Sequence, residues 1–216
     1  MLNESMVGER SGYCKEWVIV CGNCKATPKL YELTIIIRFF NNLHFRFSHA
    51  IIVYLVREYG GEDDNPLFPN DPKIQAQVNQ RLYFDSGTLY PAYKNQYNPY
   101  IYHRIEKTKE KEDKIHEALE FLENVLKTST WTAGDSMTVA DFSLVASIST
   151  FQVAGVNLEK YDFINRWFIK CTNKMVGYEN ANQEGITIMK SLLNYLLEFD
   201  NLNQPHRDNI YRSDKS

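Results

Sequence analysis

The segment GDSMTVADFSLVASISTF, Gly134 to Phe151, constrains the fold more than any other stretch of the chain. Thr138 followed by Val139, Ala140 and Asp141 predicts a capping box with Asp in place of the usual Glu. The threonine hydroxyl accepts from the third helical amide, and the carboxylate reaches back to the Thr138 N–H. Met137 before the cap and Phe142 after it are placed for a hydrophobic staple. The helix that follows mixes small residues (Ala140, Ser143, Ala146, Ser147, Ser149) with large apolar ones, and a helix apolar on nearly all sides is a buried one. Asp141 is therefore expected as a buried structural carboxylate and not as a catalytic acid.

Helical period runs through the sequence on both sides of this segment. Ile74, Val78, Leu82, Leu89 and Tyr93 share one face, and Asp71 with Pro72 makes a natural helix start. Pro91 falls inside that pattern and is expected to bend or break the helix, because it lacks an N–H and its ring crowds the preceding turn. A second helix is predicted over residues 111–127 from Ile115, Leu119, Leu122 and Leu126, after a mixed-charge run from Arg104 to Lys114 that reads as a solvated loop and first turn. Further helices are expected over 163–171, carrying Trp167, and over 184–199. The polar stretch 201–216 reads as a frayed tail. Before about residue 64 the pattern differs: β-branched and aromatic residues come in short bursts.

Charge and hydropathy exclude several function classes. The 216 residues carry a net charge of −3, and no stretch is purely basic, so neither nucleic acid nor an anionic membrane is the expected partner. Apolar runs such as 33–37 and 51–56 are far shorter than the roughly 20 residues of a membrane span. With Glu4 and Glu9 near the start and no long apolar run there, no secretory signal is evident, and a cytoplasmic protein is expected.

Three of the 4 cysteines, Cys14, Cys21 and Cys24, lie close together, with Cys171 apart. WVIVCGNCK, Trp17 to Lys25, has the look of a strand entering a Cys-x-x-Cys redox turn. Only 11 residues separate Cys24 from Ile36, too few for the helix, strand and helix that a thioredoxin fold inserts there. Zinc would need a fourth ligand from His44 or His49, at a spacing that fits no common module, so no metal site is expected.

Several motifs together carry a family resemblance: YLVREYG (54–60), LFPNDP (67–72), VNQRLYFDSGTLY (78–90), AGDSMTVADFSLVASISTF (133–151) and NRWF (165–168). Over roughly residues 50–195 the chain resembles insect delta- or epsilon-class cytosolic glutathione S-transferases. The resemblance implies an α+β glutathione S-transferase fold. A reduced thioredoxin-like domain over 1–62 and a linker at 63–66 would precede an all-helical domain over 67–200 and the tail 201–216. It also implies glutathione as co-substrate with no permanently bound cofactor, a small apolar electrophile as second substrate, and a homodimer.

The family's motifs transfer residue by residue. TIIIRFFNNLHFRFSHAI, Thr34 to Ile51, aligns with a Thr-Ile-Pro-Thr-Leu loop and a Trp-Glu-Ser-Arg-Ala-Ile helix start, so Thr34, Ile35, Phe47, Ser48 and His49 take the glutathione-binding positions. The cis-proline of that loop is Ile36 here, and a cis bond before an ordinary residue costs about 2.5–4 kcal/mol, so Ile36 is expected trans. Phe47 stands where a glutamate would meet the γ-glutamyl ammonium, and His49 stands where a guanidinium would. Ser48 keeps its hydroxyl and a backbone N–H at a helix N-terminus, where carboxylates are favoured. Ser11, set on a Ser-x-Pro-Cys-Arg stretch, takes the position of the thiolate-supporting serine. Between Ser11 and Ile36 lie 24 residues where about 35–40 would be needed, so elements are missing or this region adopts another structure.

By position, Tyr90, Tyr93 and Tyr97 line the electrophile pocket; interhelical core is the other reading of the same residues. Two functions follow. One is a transferase conjugating the glutathione thiolate to apolar electrophiles, impaired by the changes at 36, 47 and 49. The other is a catalytically weak or inactive relative that binds ligands or dimerises. LTIIIRFF, residues 33–40, is the segment most prone to aggregation if the first domain is incomplete.

Overall fold

A computed structural model describes residues 37–38, 44–45, 48–60, 65–103 and 105–195. Two short strands, β1 (Ile37–Arg38) and β2 (His44–Phe45), pair antiparallel with Ile37 opposite Phe45 and Arg38 opposite His44. They lead into α1 (Ser48–Tyr59), which is followed by α2 (Pro72–Phe84), α3 (Tyr90–His103), α4 (Lys109–Thr128), α5 (Val139–Val153) and α6 (Asp162–Lys174). The chain is again helical over residues 184–195. Of the expected thioredoxin-like region, β1, β2 and α1 are described; Ser11, Cys14, Cys21, Cys24, Thr34, Ile35, Ile36 and Phe47 lie outside the described residues.

α2 starts as its sequence predicts. The Asp71 carboxylate accepts from the amides of Lys73 and Ile74, at 2.9 and 3.0 Å, and Pro72 fills the first position, where its missing N–H has no partner to lose. The long helical run does not break at Pro91. It widens just before the proline into a π turn, Asp85–Leu89, in which the Tyr90 N–H bonds the Asp85 carbonyl, and then continues as α3 through Pro91 and Pro99 to His103. One extra residue in the turn shifts the register ahead of Pro91, which accommodates the ring without ending the helix.

Two apolar clusters hold the helices. The larger is built from α3, α4, α5 and α6, with Leu89, Ile115, Leu119, Leu122, Leu144, Ile148, Phe151, Ile164 and Trp167 fully buried or nearly so. The smaller joins α1 to the bundle: Val56 meets Phe68, Val78, Leu82, Val139 and Ala140. α5 contributes to both, as its all-round apolar character predicts.

The Thr138–Asp141 capping box forms. Asp141, with 0% of its surface exposed, accepts from the Thr138 N–H at 2.8 Å and from the Thr132 N–H and hydroxyl at 3.0 and 2.8 Å. It also accepts from the Trp167 indole N–H at 2.9 Å. One carboxylate thus fixes the start of α5, the preceding turn and α6. That turn closes through paired backbone bonds between Trp131 and Gly134, and Gly134 sits at φ +132°, a conformation a side chain would strain.

Candidate functional site

The first turn of α1 carries the described part of the predicted glutathione-binding motif. Ser48 is its first residue and is exposed; His49, the second, is half-buried. Their amides belong to the unpaired N-terminal turn of a helix, which presents donors and the positive end of the helix dipole to an anion.

What anchors this turn is a residue that sequence reasoning missed. His49 Nε2 lies 3.1 Å from Asp85 Oδ2, and Asp85 is only 2% exposed. A carboxylate offers acceptors alone, so Nε2 carries the hydrogen in that bond. The same carboxylate accepts from the Ser147 hydroxyl at 2.7 Å and from the Ser143 hydroxyl. Three side chains from two other helices thus converge on one buried charge, which is the condition under which such a charge is tolerated. Asp85 opens the π turn, and the extra residue of that turn sets the direction in which its side chain leaves the helix. The available signal was Asp85 among Leu82, Phe84 and Leu89, together with Ser143 and Ser147 one turn apart on α5. A lone acid on an apolar face needs donors, and two serines four residues apart can supply them.

The three predicted pocket tyrosines divide. Tyr90 is 42% exposed, whereas Tyr93 and Tyr97 are 2% and 1% exposed and belong to the interhelical cluster. Tyr93 stacks on Tyr97 at 5.0 Å and on Phe151 at 4.9 Å between ring centroids, and Tyr90 meets Tyr93 in a tilted contact at 5.9 Å. Burial pushes the Tyr97 phenol up to about 12, with Glu112 adding to the effect, and raises that of Tyr93 further. Both are neutral hydroxyls at any physiological pH. The Tyr93 hydroxyl is buried with no hydrogen-bond partner among the described residues.

The family model described as "Glutathione S-transferase, C-terminal domain" matches residues 88–174. A delta-class glutathione transferase of Nilaparvata lugens is 38% identical, with 73% of each chain covered and a TM-score of 0.70. The chain belongs to the glutathione S-transferase family. A Bombyx mori glutathione transferase is 36% identical over 70% of each chain, with a TM-score of 0.65. A glutathione transferase homologue of Drosophila mojavensis, solved with bound glutathione, is 30% identical over 72% of this chain and 70% of its own, with a TM-score of 0.64.

In this family member, α1 and the π turn are where the sequence-derived glutathione motif and the helical bundle meet. The contacts that hold α1 include the apolar Val56 cluster and the Arg57–Asn70 bond towards its C-terminal end and the His49–Asp85 bond at its N-terminal end. No described helix is long and apolar enough to cross a membrane.

Proposed function

We propose that the chain binds glutathione at the first turn of α1 and transfers its thiolate to small apolar electrophiles, at reduced efficiency. The observation that carries this reading is the fixed N-terminal turn itself, with Ser48 exposed and His49 tied to buried Asp85. A carboxylate of the peptide would meet the Ser48 hydroxyl and the amides of this turn, which already point outward and need no reorganisation. The glutathione-bound relative from Drosophila mojavensis supports glutathione as the ligand. Thr34, Ile35 and Phe47 take the remaining glutathione positions, and Ser11 the thiolate-supporting one. In the reaction the thiolate sulfur attacks the electrophilic carbon, the C–S bond forms and the leaving group departs with its electron pair; a hydroxyl donor lowers the cost of holding the thiolate. Tyr90, at the exposed end of the aromatic stack, is the tyrosine positioned to touch the electrophile, with Tyr93 and Tyr97 backing it.

Reduced efficiency follows from chemistry at three positions, the first being Ile36 in place of the cis-proline that would present backbone groups to the peptide. Phe47 offers no acceptor for the γ-glutamyl ammonium, and the imidazole of His49 uses one nitrogen on Asp85, where a guanidinium could bond the carboxylate twice and retain donors. The second reading, a weak or inactive relative that binds ligands or dimerises, rests on the same substitutions at 36, 47 and 49. We further propose a cytoplasmic homodimer, with a glutathione-binding region at 1–62 and a helical domain at 67–200.

Retention of the full chain on immobilised glutathione, combined with turnover of a chromogenic aryl halide, separates the readings. Retention with measurable conjugation supports the transferase. Retention without turnover supports the binding protein, and loss of both removes glutathione as the ligand.

A further inference from the structure

The imidazole of His49 has two ring nitrogens, and the fold commits one of them. Nε2 lies 3.1 Å from Asp85 Oδ2, and because a carboxylate offers acceptors alone, Nε2 holds the hydrogen. The tautomer is not free to change. Asp85 is 2% exposed and already receives the Ser147 and Ser143 hydroxyls, so moving the hydrogen to Nδ1 would leave Nε2 and a buried carboxylate facing each other as two acceptors. In the neutral ring Nδ1 is therefore a bare lone pair. It has no hydrogen-bond partner among the described residues, and the side chain keeps 22% of its surface exposed, so a ligand docking on the first turn of α1 can meet it.

The charges around the ring decide what that lone pair does. Among the described residues, Asp85 on the π turn is the titratable group that faces the imidazole; α5 brings the uncharged Ser143 and Ser147, and the first turn of α1 has no acidic residue. A carboxylate arriving at this turn meets donors in the Ser48 hydroxyl and the helix amides, but at Nδ1 it meets another acceptor. A proton between the two turns that repulsion into a charge-assisted bond, and imidazole is the side chain that gains one near neutral pH. The imidazolium then donates one N–H inward to Asp85 and the other outward to the ligand. We propose that glutathione binding is coupled to proton uptake at His49 Nδ1, so that affinity for the peptide falls as pH rises through the titration of the imidazole. The inference rests on glutathione being the ligand of the α1 turn. One proton enters from solvent as the carboxylate docks and returns to solvent when the product leaves. A guanidinium here would be charged at every working pH and would couple nothing. Ionisation of the thiol runs the opposite way, since it is favoured as pH rises, so capture of the peptide and its activation have opposed pH requirements.

The test is calorimetric titration of the full chain with S-methylglutathione, whose thiol is blocked, between about pH 6 and 8 in buffers of different ionisation enthalpy. Affinity should be about tenfold weaker at the alkaline end, with proton uptake rising towards about one per ligand across the range. His49→Arg should bind with a flat pH profile and no uptake. His49→Gln, which keeps an N–H for Asp85, should bind at the weak alkaline level at every pH, also without uptake. With glutathione itself and an aryl halide, KM for glutathione should rise with pH while kcat does not fall, a split that a purely structural His49 would not produce. Affinity independent of pH in the parent, or uptake that persists in His49→Gln, overturns the coupling and leaves glutathione as the ligand. Absence of binding by the parent and by His49→Arg at every pH removes the glutathione reading itself, and the coupling with it.

Discussion

Two buried carboxylates, Asp141 and Asp85, are built from the same chemistry and do different work. Asp141 is satisfied by backbone amides of its own cap and the preceding turn, by two threonine hydroxyls and by the Trp167 indole. Asp85 is satisfied by side chains alone, two serines on α5 and His49 on α1. Backbone donors survive any substitution except proline and do not move with a rotamer change, so the two amide bonds to Asp141 are fixed by the fold. The Asp85 network depends on three side chains, one of them at the edge of the candidate site. A carboxylate fed by main chain secures architecture, and one fed by side chains from separate elements secures the relation between them.

Removing each acid breaks the comparison most directly. Asp141→Ala leaves the Thr132 and Thr138 amides and the Trp167 indole buried without an acceptor and removes the capping box. The expected loss is about 3–4 kcal/mol in urea unfolding, or failure to fold. Asp85→Ala strands two hydroxyls, which can turn to other acceptors, so about 2 kcal/mol is expected. This variant should also lose retention on immobilised glutathione, whereas a folded Asp141→Asn should keep it. If Asp85→Ala binds glutathione like the parent, the α1 turn is not held by that carboxylate.

The tyrosine stack gives an intermediate effect through pH. Tyr97 is raised to about 12 in the folded chain, and burial raises Tyr93 as well. An unfolded phenol titrates near 10, so below about pH 9 these groups leave stability unchanged. Above about pH 10 the unfolded state loses protons that the folded state retains, and stability falls by up to about 1.4 kcal/mol per pH unit for each phenol until the folded group ionises. Urea midpoints measured from pH 8 to 11 should drop at the alkaline end, and Tyr97→Phe should flatten the slope.

A third carboxylate sharpens the distinction. Glu123 on α4 accepts from the Phe163 and Ile164 amides, at 3.0 and 2.9 Å, and so caps α6 from another helix. Glu123→Gln keeps one acceptor, and about 1 kcal/mol is expected, with glutathione retention unchanged. The smallest effect on stability, about 0.5 kcal/mol, is expected for His49→Ala, because the imidazole is partly exposed and Asp85 keeps both serines. Its loss should appear instead in glutathione retention. The opposite pattern, large in stability and absent in binding, would place His49 with the structural network.

Local rules carried much of the fold. Asp71 and Pro72 start α2, Thr138 and Asp141 start α5, and the apolar spacing of 115, 119, 122 and 126 marks the buried face of α4; each depends on residues within one or two turns, where backbone geometry fixes which side chains meet. The predicted bend or break at Pro91 took the form of a π turn ahead of it, because packing against α4 and α5 keeps the helix continuous where an isolated one would end. Tyr93 and Tyr97 went to the core and Tyr90 to the surface, a division that period alone leaves undecided because all three share one helix face.

By itself the sequence determined the helices of the bundle, the caps of α2 and α5, the buried role of Asp141 and the family resemblance, all of which rest on short-range spacing. The tertiary structure alone decided that Asp85 meets residues 36 positions before it and 58 and 62 after it, and that Arg81 reaches Thr132 across 51. Those pairings depend on how helices cross and on one residue of extra helical turn, and neither leaves a periodic trace in the chain.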